Sequence, residues 1–379
     1  MLQVSRVTAS VGILLVVLDW SVARPVHAQA TFVGLGTFGA SRSEAHDISA
    51  DGTVIVGVVF EFPDSTHGVF RWTRNQSTIY RELVRTKVAV SDDGTTVVGS
   101  RYFGIPGLDE AFRWVPDEGL FEGLGDFPGG AFDSAAYGVS ADGSVIVGSG
   151  NANQSPRAFR WTAEEGMVDI GPGTAYGISS AGNVIVGAAE TAFRWTAATG
   201  MVELAPLPGS IGSRAYAISP EGTVAVGEQI FRATQSSVRQ EASRWIEQGV
   251  ISLESELWAS TVALDVSVDG TSIVGGGIPR LSGARTAFFW SPQTGMVGVQ
   301  DLLISLGATG LDGWALTQAY GVSHDGRTIV GQGIHNGRSE AWVATIPEPS
   351  SIIQLAVAAA GFLGFAVFKA IRSNLRVTV

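Results

Sequence analysis

Short apolar runs separated by turn residues recur along most of this chain. The nine residues SADGTVIVG (49–57) return as SADGSVIVG (140–148), and five further variants keep the serine, the fourth-position glycine and the final Val-Gly. That glycine falls at residues 52, 94, 143, 182, 222, 270 and 326, at spacings of 39 to 56 residues. A β-rich run on each side of an Asp-Gly signal predicts a β-hairpin, whose two strands we label a and b.

A second pair of apolar runs follows each of these hairpins. The first run ends in tryptophan, as in AFRW at residues 158–161, and the second resembles GMVDI at residues 166–170. A glycine-containing turn joins the two runs, which predicts a second hairpin with strands c and d. Seven four-stranded units in series, at the spacing of propeller blades, predict an all-β fold, namely a seven-bladed β-propeller.

The two ends of the repeat region complement each other. The seventh repeat stops after strand c, at EAWVATI (340–346), and has no strand d of its own. Residues 32–36, FVGLG, match FEGLG at residues 121–125, which forms strand d of another repeat. We expect the N-terminal strand to complete the last blade and close the ring, because closure removes an exposed sheet edge. An open solenoid of hairpins is the alternative.

Arginine and tryptophan alternate at the end of strand c, so their side chains should face opposite sides of the sheet. We expect the tryptophans to pack between blades, although a repeated aromatic stripe can also bind a ligand. The arginines should form salt bridges or carbonyl contacts between blades. The positions are Trp72, Trp114, Trp161, Trp195, Trp245 and Trp290, with Arg71, Arg113, Arg160, Arg194 and Arg244.

Both ends of the chain look like targeting segments. Residues 1–30 contain Arg6, a short apolar run and VHAQA, in which Ala28 and Ala30 fit the small-residue rule of a secretory signal. We expect cleavage after Ala30, which leaves residues 31–346 as the propeller. Residues 352–368 carry no charge and basic residues follow them, which predicts a transmembrane helix at residues 352–371 within a C-terminal segment, 347–379.

This C-terminal segment resembles the PEP-CTERM sorting signal, in which the tripeptide Pro347-Glu348-Pro349 precedes an apolar helix and a basic end. The resemblance implies that an exosortase in the membrane recognises and processes the tail of an exported protein. It also implies a setting close to exopolysaccharide production. Before processing, the helix would hold the chain in the membrane.

The repeat motifs themselves resemble the HAF family of extracellular repeat proteins. The resemblance rests on Ser-x-Asp-Gly-x-x-Ile-Val-Gly, Ala-Phe-Arg-Trp and Gly-Met-Val, which cover nearly all of the region between the two targeting segments. It implies a secreted or surface protein, and it implies no catalytic residues and no cofactor.

Composition removes several classes of function. The chain carries a net charge of −11 with a pI of about 4.9, which argues against binding nucleic acid. It has no cysteine, which excludes disulfides, cysteine-ligated metals and thiol nucleophiles. The Asp-Gly turns offer one or two acids each, and the fourth copy has Ala181 in place of the acid. We therefore interpret them as turns and predict no metal site there.

The connections between strands divide into two kinds. In an up-and-down blade the a–b and c–d turns share one face, which we call the short-turn face. The b–c and d–a connections lie on the opposite face and vary in length, so we call it the variable face, and binding residues concentrate on such loops. Aromatic loop residues there suit sugars or protein partners. They are Phe62, Tyr102, Phe103, Phe127 and Phe132.

These observations favour an exported structural or binding module at the cell surface or in an extracellular matrix, with exopolysaccharide or a surface protein as partner. The alternative is a surface hydrolase or lyase that acts on polysaccharide through loop carboxylates. Two carboxyl groups that converge in a deep cleft would favour the enzyme. The candidate carboxylates are Asp64, Asp109, Glu110, Asp126 and Asp133.

Overall fold

The structure, a computed structural model, describes residues 29–347 apart from 62–66, 81–83, 85–86, 103–107, 130–131, 153–154 and 254. Seven antiparallel sheets of four strands each make up nearly all of it, so the predicted seven-bladed β-propeller is confirmed. In every blade the strands follow one another in sequence order from the central channel outwards, except that the last blade takes its outermost strand from the N-terminus.

The strands are numbered in chain order. The first strand, β1 (Thr31–Gly36), belongs to the last blade, so blade 1 begins with β2. Blade 1 consists of β2 (Arg42–Ile48), β3 (Ile55–Phe60), β4 (His67–Trp72) and β5 (Ser77–Tyr80). Blade 2 consists of β6 (Ala89–Val90), β7 (Val97–Tyr102), β8 (Asp109–Val115) and β9 (Leu120–Gly123). Blade 3 consists of β10 (Ala135–Val139), β11 (Ile146–Ala152), β12 (Ser155–Thr162) and β13 (Gly166–Pro172).

The remaining blades have the same plan. Blade 4 consists of β14 (Thr174–Ile178), β15 (Ile185–Ala188), β16 (Ala192–Thr196) and β17 (Gly200–Glu203). Blade 5 consists of β18 (Gly212–Ile218), β19 (Ala225–Arg232), β20 (Val238–Ile246) and β21 (Gly249–Ser252). Blade 6 consists of β22 (Trp258–Val266), β23 (Ile273–Pro279), β24 (Thr286–Ser291) and β25 (Gly295–Gly298). Blade 7 consists of β26 (Trp314–Val322), β27 (Thr328–His335), β28 (Arg338–Thr345) and β1.

The N-terminal strand closes the ring as predicted. β1 pairs antiparallel with β28, and Phe32 lies opposite Ala344. The Phe32 ring meets the ring of Trp314 edge-on, with 5.1 Å between centroids, and Trp342 lies on its other side. Trp314 is a packing residue, since it is buried in the same cluster.

Each a–b turn is a hairpin held by its serine and its glycine. In blade 1 the Val54 N–H donates to the Ser49 hydroxyl over 3.0 Å, and the equivalent bond is present in all seven blades. The glycines need a positive φ, and they also face the preceding blade: a Cβ on Gly94 would lie 2.6 Å from Val54. The acid only adds bonds within the turn, which explains why the fourth repeat can lack it.

The blades pack through aromatic residues of strand c. The phenylalanine two positions before the tryptophan is fully buried in most blades, and Trp114, Trp161 and Trp245 are buried as well, as is Trp342 in blade 7. Trp72, Trp195 and Trp290 are partly buried and pack against the core clusters. The six predicted tryptophans thus pack against the core, as expected. The arginines between them contact the next blade in three places: Arg71 donates to the Gly94 carbonyl over 3.2 Å, and Arg194 and Arg244 make longer versions of that contact.

One short helix interrupts the all-β pattern. It is α1 (Val299–Ser305), which follows β25 and packs Val299, Leu302 and Leu303 into the core beside blade 7. Among the described residues no helix is long and apolar enough to cross a membrane. The predicted helix at 352–371 lies outside the described residues.

Candidate functional site

A β-bulge recurs in strand a, the strand that lines the central channel. The register between strands a and b shifts by one residue in blades 1, 3, 4, 5, 6 and 7. A bulge re-aims side chains, and here the extra residue lines the channel in all six blades, as does the residue after it in all of them but blade 7. The extra residues are His46, Tyr137, Tyr176, Tyr216, Leu264 and Tyr320. The lining therefore differs from blade to blade even though the frame repeats.

The channel encloses a cavity of about 200 Å³. Lys87 and the bulge residues lie towards the variable face, and we call this end the mouth. Asp92, Ser180 and His324 belong to the a–b turns and lie at the other end, which we call the floor. The lining mixes apolar and polar surface, as is typical of small-molecule sites.

Tyrosines form one side of the channel, contributed by blades 3, 4 and 5, which we call the tyrosine half. The rings of Tyr137 and Tyr176 are 5.4 Å apart and those of Tyr176 and Tyr216 are 5.2 Å apart, each pair tilted by about 60°. Tyr216 donates its hydroxyl to Glu228 over 3.1 Å, and burial together with that carboxylate raises the pKa of Tyr216. The phenol of Tyr216 is therefore neutral at ordinary pH.

Ionisable residues line the opposite side, from blades 6, 7, 1 and 2, which we call the ionisable half. Asp47 in blade 1 accepts hydrogen bonds from its neighbour Ile48 and, over 2.8 Å, from the Val90 N–H of blade 2. Asp265 in blade 6 accepts the same pair of bonds from Val266 and, over 2.7 Å, from Val322 of blade 7. Each carboxyl group therefore links its own blade to the next.

The two aspartates influence each other's protonation. Burial, followed by the charge of Asp265, raises the pKa of Asp47 to about 8. Burial also raises the pKa of Asp265, to about 6, although its backbone hydrogen bonds oppose the change. Near neutral pH, Asp47 therefore carries a proton while Asp265 is ionised. A pair of carboxyl groups with separated pKa values can act as donor and acceptor towards the same ligand.

Cationic and aromatic groups meet at the mouth. The Lys87 Nζ lies 4.3 Å from the centre of the Tyr320 ring, and His46 lies against the same ring, 5.2 Å away. His46 is held between the Glu44 carboxylate, at 3.3 Å, and the Val88 N–H. His46 is buried in strand a, and its ring also faces the channel.

At the floor, Asp92 bridges across the channel. Its carboxylate accepts the Ser180 hydroxyl of blade 4 and lies 3.2 Å from the His324 Nε2 of blade 7. Burial alone would lower the pKa of His324, but the hydrogen bond and charge of Asp92 raise it. Because the serine donates to the aspartate and not to the histidine, the three groups lack the order of a nucleophilic triad.

The loop aromatics predicted from the sequence are only partly described. Phe62 and Phe103 lie outside the described residues. Tyr102 ends β7 and is half-buried, Phe127 packs against the core between blades 2 and 3, and Phe132 is 40% exposed. The structure thus brings Tyr102, Phe127 and Phe132 to blades 2 and 3 on the variable face.

Two of the predicted carboxylates are engaged by neighbouring groups. Asp126 accepts the backbone N–H groups of Phe127, Asp133 and Asn151, and Glu110 pairs with Arg101 across β8 and β7. Asp109 is buried in β8, and Asp64 lies outside the described residues. The carboxyl groups that line one channel are those of Asp92, Asp47 and Asp265. The sequence analysis did not single out Asp47 and Asp265. Their signal was present, because Ala89, Gly138, Gly177, Ala217 and Gly321 occupy the same repeat position.

Two of the predicted targeting residues, Ala30 and Pro347, are among the described residues. Ala30 is buried beside Leu306, to whose carbonyl its N–H donates, and Pro347 follows the last strand. Ala28, Glu348 and Pro349 lie outside the described residues. Within the described ranges no group of three or more His, Asp or Glu side chains is placed to hold a metal ion.

The sequence matches no protein-family model, and comparison with curated proteins gives no match. Solved structures do match. An oligogalacturonate lyase in complex with manganese is 12% identical, with a TM-score of 0.56 over 85% of this chain and 98% of the lyase. The oligogalacturonate lyase of Vibrio parahaemolyticus is 9% identical, with a TM-score of 0.54 over the same shares. TolB of Acinetobacter baumannii is 15% identical, with a TM-score of 0.44 over 69% of this chain and 63% of TolB.

At these identities the likeness concerns the fold. The class that fold and site define is a seven-bladed β-propeller whose bulged inner strands line a central channel. The likeness carries no residue of the lyases over to this chain.

Proposed function

We propose that this chain is an exported propeller that acts as a binding module at the cell surface or in an extracellular matrix, and that it holds a saccharide in its central channel. One observation carries the proposal: the seven blades share the same a–b turn, but they present different side chains to the channel. Blades 3 to 5 supply tyrosines, while blades 6, 7, 1 and 2 supply carboxyl, imidazole and ammonium groups. A purely structural repeat has no need for ionisable groups at that depth, and perturbed groups in a cleft mark functional sites.

The two halves suit the two sides of a sugar. Tyrosine rings offer an apolar surface with a polar edge, against which the C–H face of a sugar packs. The carboxyl groups of Asp47 and Asp265 offer acceptors and, where protonated, a donor for hydroxyl groups. A cavity of about 200 Å³ is smaller than the roughly 300–1,000 Å³ of sites for drug-sized ligands, and this favours one sugar residue or the end of a chain.

The chain termini support presentation at a surface. Thr31 pairs with Thr345, and the Ile346 N–H donates over 2.8 Å to the Arg327 carbonyl in the a–b turn of blade 7. Both ends of the described propeller therefore lie at the short-turn face. A tail anchored in the membrane or processed by an exosortase would therefore turn the mouth and the variable face outwards. A longer glycan can then continue from the mouth over the loops that carry Tyr102, Phe127 and Phe132.

Glycan binding by the purified full chain, kept in a detergent without a sugar head group, tests the proposal. Tyr176→Ala removes the middle ring of the tyrosine half, and we expect it to weaken binding by about tenfold or more, as for loss of a stacked aromatic contact. Val202→Ala, on the exposed outer strand of the same blade, is the matched control. Absence of binding to every glycan on an array would refute the saccharide proposal.

A second candidate function is polysaccharide cleavage, and the Asp47–Asp265 pair is the observation that favours it. Separated pKa values allow one group to act as acid and the other as base. Binding is favoured over cleavage because each carboxyl group is already held by two backbone N–H groups that link blades. Release of reducing ends or unsaturated sugars that disappears in both Asp47→Asn and Asp265→Asn would establish the enzyme instead.

A further inference from the structure

The charge of the side chains along the channel changes sign from one end to the other. The lower part carries Asp47, Asp265 and Asp92, opposed by His324. The mouth carries Lys87 from blade 2. Arg285, from the b–c connection of blade 6, lies close enough for its charge to lower the pKa of Lys87, and the charge of Glu44 opposes this effect. In a chain with a net charge of −11, two neighbouring cationic side chains at one end of the channel are an exception to the general charge.

Lys87 is placed by an aromatic ring and not by the strand alone. Its Nζ lies 4.3 Å above the Tyr320 ring, an arrangement that fixes an ammonium group. The Lys87 side chain is exposed to the channel although protein surrounds it, so an incoming ligand can reach it. Among the described residues, the charged groups that act on it are Glu44, Arg285, Asp47 and Asp265.

Arg285 approaches the same strand from the other side. Its Nε donates over 2.9 Å to the side-chain oxygen of Gln318, which is buried at the start of β26, two residues before Tyr320. The guanidinium group itself is exposed, so its remaining N–H groups can take a ligand. Lys87 and Arg285 thus lie near one segment of β26 although they come from different blades.

Two like charges at one entrance repel each other. Glu44 offsets part of this repulsion, and an anionic ligand between the two cations relieves more of it. A second anionic group deeper in the channel would meet Asp265 and Asp92. The entrance therefore favours a ligand with a single negative charge at one end and hydroxyl groups towards the aspartates.

We propose that the saccharide held by the channel is acidic, a uronic acid whose carboxylate binds between Lys87 and Arg285 while its ring packs beside Tyr320. This inference rests on the proposed function, because it names the ligand class of the same site. Arg285 supplies a planar fork that matches a carboxylate, and Lys87 supplies a point charge fixed by the ring.

Matched sugars test it on the full chain, because glucuronate and glucose differ only at C6, as do galacturonate and galactose. Isothermal titration should show that at least one acid binds about tenfold or more tightly than its neutral counterpart, as for a charge-assisted contact in a partly enclosed site. Lys87→Met and Arg285→Gln should each remove most of this preference, and Lys87→Arg should retain part of it. Arg232→Gln, an exposed arginine on the neighbouring b–c connection of blade 5, should leave the preference unchanged.

The outcomes separate this inference from the proposed function. Equal affinity for each acid and its neutral counterpart overturns the carboxylate site but leaves a saccharide channel. Inorganic phosphate that competes as well as the uronic acid shows a general anion site and also overturns it. No binding of any of the four sugars, or of their oligosaccharides, overturns the proposed function itself. Unchanged thermal unfolding midpoints show that the variants are folded.

Discussion

The tyrosine half and the ionisable half of the channel are built from the same repeat yet differ in how their blades meet. In the tyrosine half, the residue after the bulge is Gly138, Gly177 or Ala217. A Cβ on Gly177 would lie 2.9 Å from the Ala217 Cα and 3.1 Å from the Tyr216 carbonyl, so the next blade approaches the backbone directly. In blades 1 and 6 of the ionisable half, Asp47 and Asp265 stand at that position and receive the N–H of the next blade on a carboxyl group, while blades 2 and 7 keep the small residues Ala89 and Gly321.

The difference shows that one repeat position can join blades in two ways. A small residue lets the backbones meet, whereas an aspartate joins them through a side chain and leaves a titratable group in the channel. The frame is insensitive to this choice, because the a–b turns, the serines and the buried aromatics are the same in both halves. Departures from a repeat therefore locate a site better than the repeat itself does.

The largest effect on stability is expected when an aspartate is placed in the tyrosine half. Gly177→Asp places a Cβ and a carboxyl group where the next blade lies within 3 Å, so overpacking and desolvation act together. We expect the free energy of unfolding to fall by about 3 kcal/mol or more. Urea denaturation measures it, with Ala189→Asp in the exposed b–c connection of the same blade as the control. A fully stable Gly177→Asp protein would mean that the two halves are interchangeable.

A smaller effect is expected when an aspartate is removed from the ionisable half. Asp47→Ala leaves the Val90 and Ile48 N–H groups without their acceptor, although channel water can replace part of it. The expected loss is about 1–2 kcal/mol, in line with a missing acceptor for partly buried donors. Asp51→Ala, in the exposed a–b turn of the same blade, should cost less than about 1 kcal/mol, since Ala181 is native at the equivalent place. Equal losses would contradict the linking role of Asp47.

The frame could be predicted from the sequence, because its signals are local and repeated. Hairpin turns such as Ser49–Gly52 and the unmatched strand at Phe32 were enough to give the blade number and the closure. The channel site could not be predicted in the same way. It depends on bulges that rotate His46 and Tyr320 inwards, and on contacts such as Asp92 with Ser180 that join residues 88 positions apart. The short helix Val299–Ser305 was missed because its apolar face resembles one more buried strand.

The raised pKa values of the aspartates predict an unusual pH dependence of stability. A folded-state carboxyl group with a raised pKa binds protons more tightly than the unfolded chain does. The stability it contributes is complete at low pH and is lost as the pH rises from about 4, the unfolded value, to about 8 for Asp47 and about 6 for Asp265.

Urea denaturation across this range should show stability that falls as the pH rises, by up to about 1.4 kcal/mol per pH unit for each proton involved. Asp47→Asn should remove most of the slope above pH of about 6 and leave the smaller contribution of His324, whose raised pKa also lies in this range. Asp142→Asn, in an exposed turn of the tyrosine half, is the control, since hydrogen bonds lower the pKa of Asp142. An undiminished slope in Asp47→Asn would assign the effect to other groups.

The smallest effect concerns the floor, where the ionisable half reaches across to the tyrosine half. Asp92 raises the pKa of His324 above its ordinary value, so the pair contributes stability below that value and loses it as the pH rises through the folded pKa. Both side chains are about 30% exposed, so solvent screens the pair, and His324→Gln should cost less than about 1 kcal/mol at pH of about 5 and nothing at pH of about 8. Urea denaturation of wild type and variant measures the stability loss at each pH. The difference between the two losses reports the ion pair, because glutamine can keep the hydrogen bond at both pH values. The same loss at both pH values would show that the floor is held by packing and neutral hydrogen bonds, and the ionisable half would then end at Asp47 and Asp265.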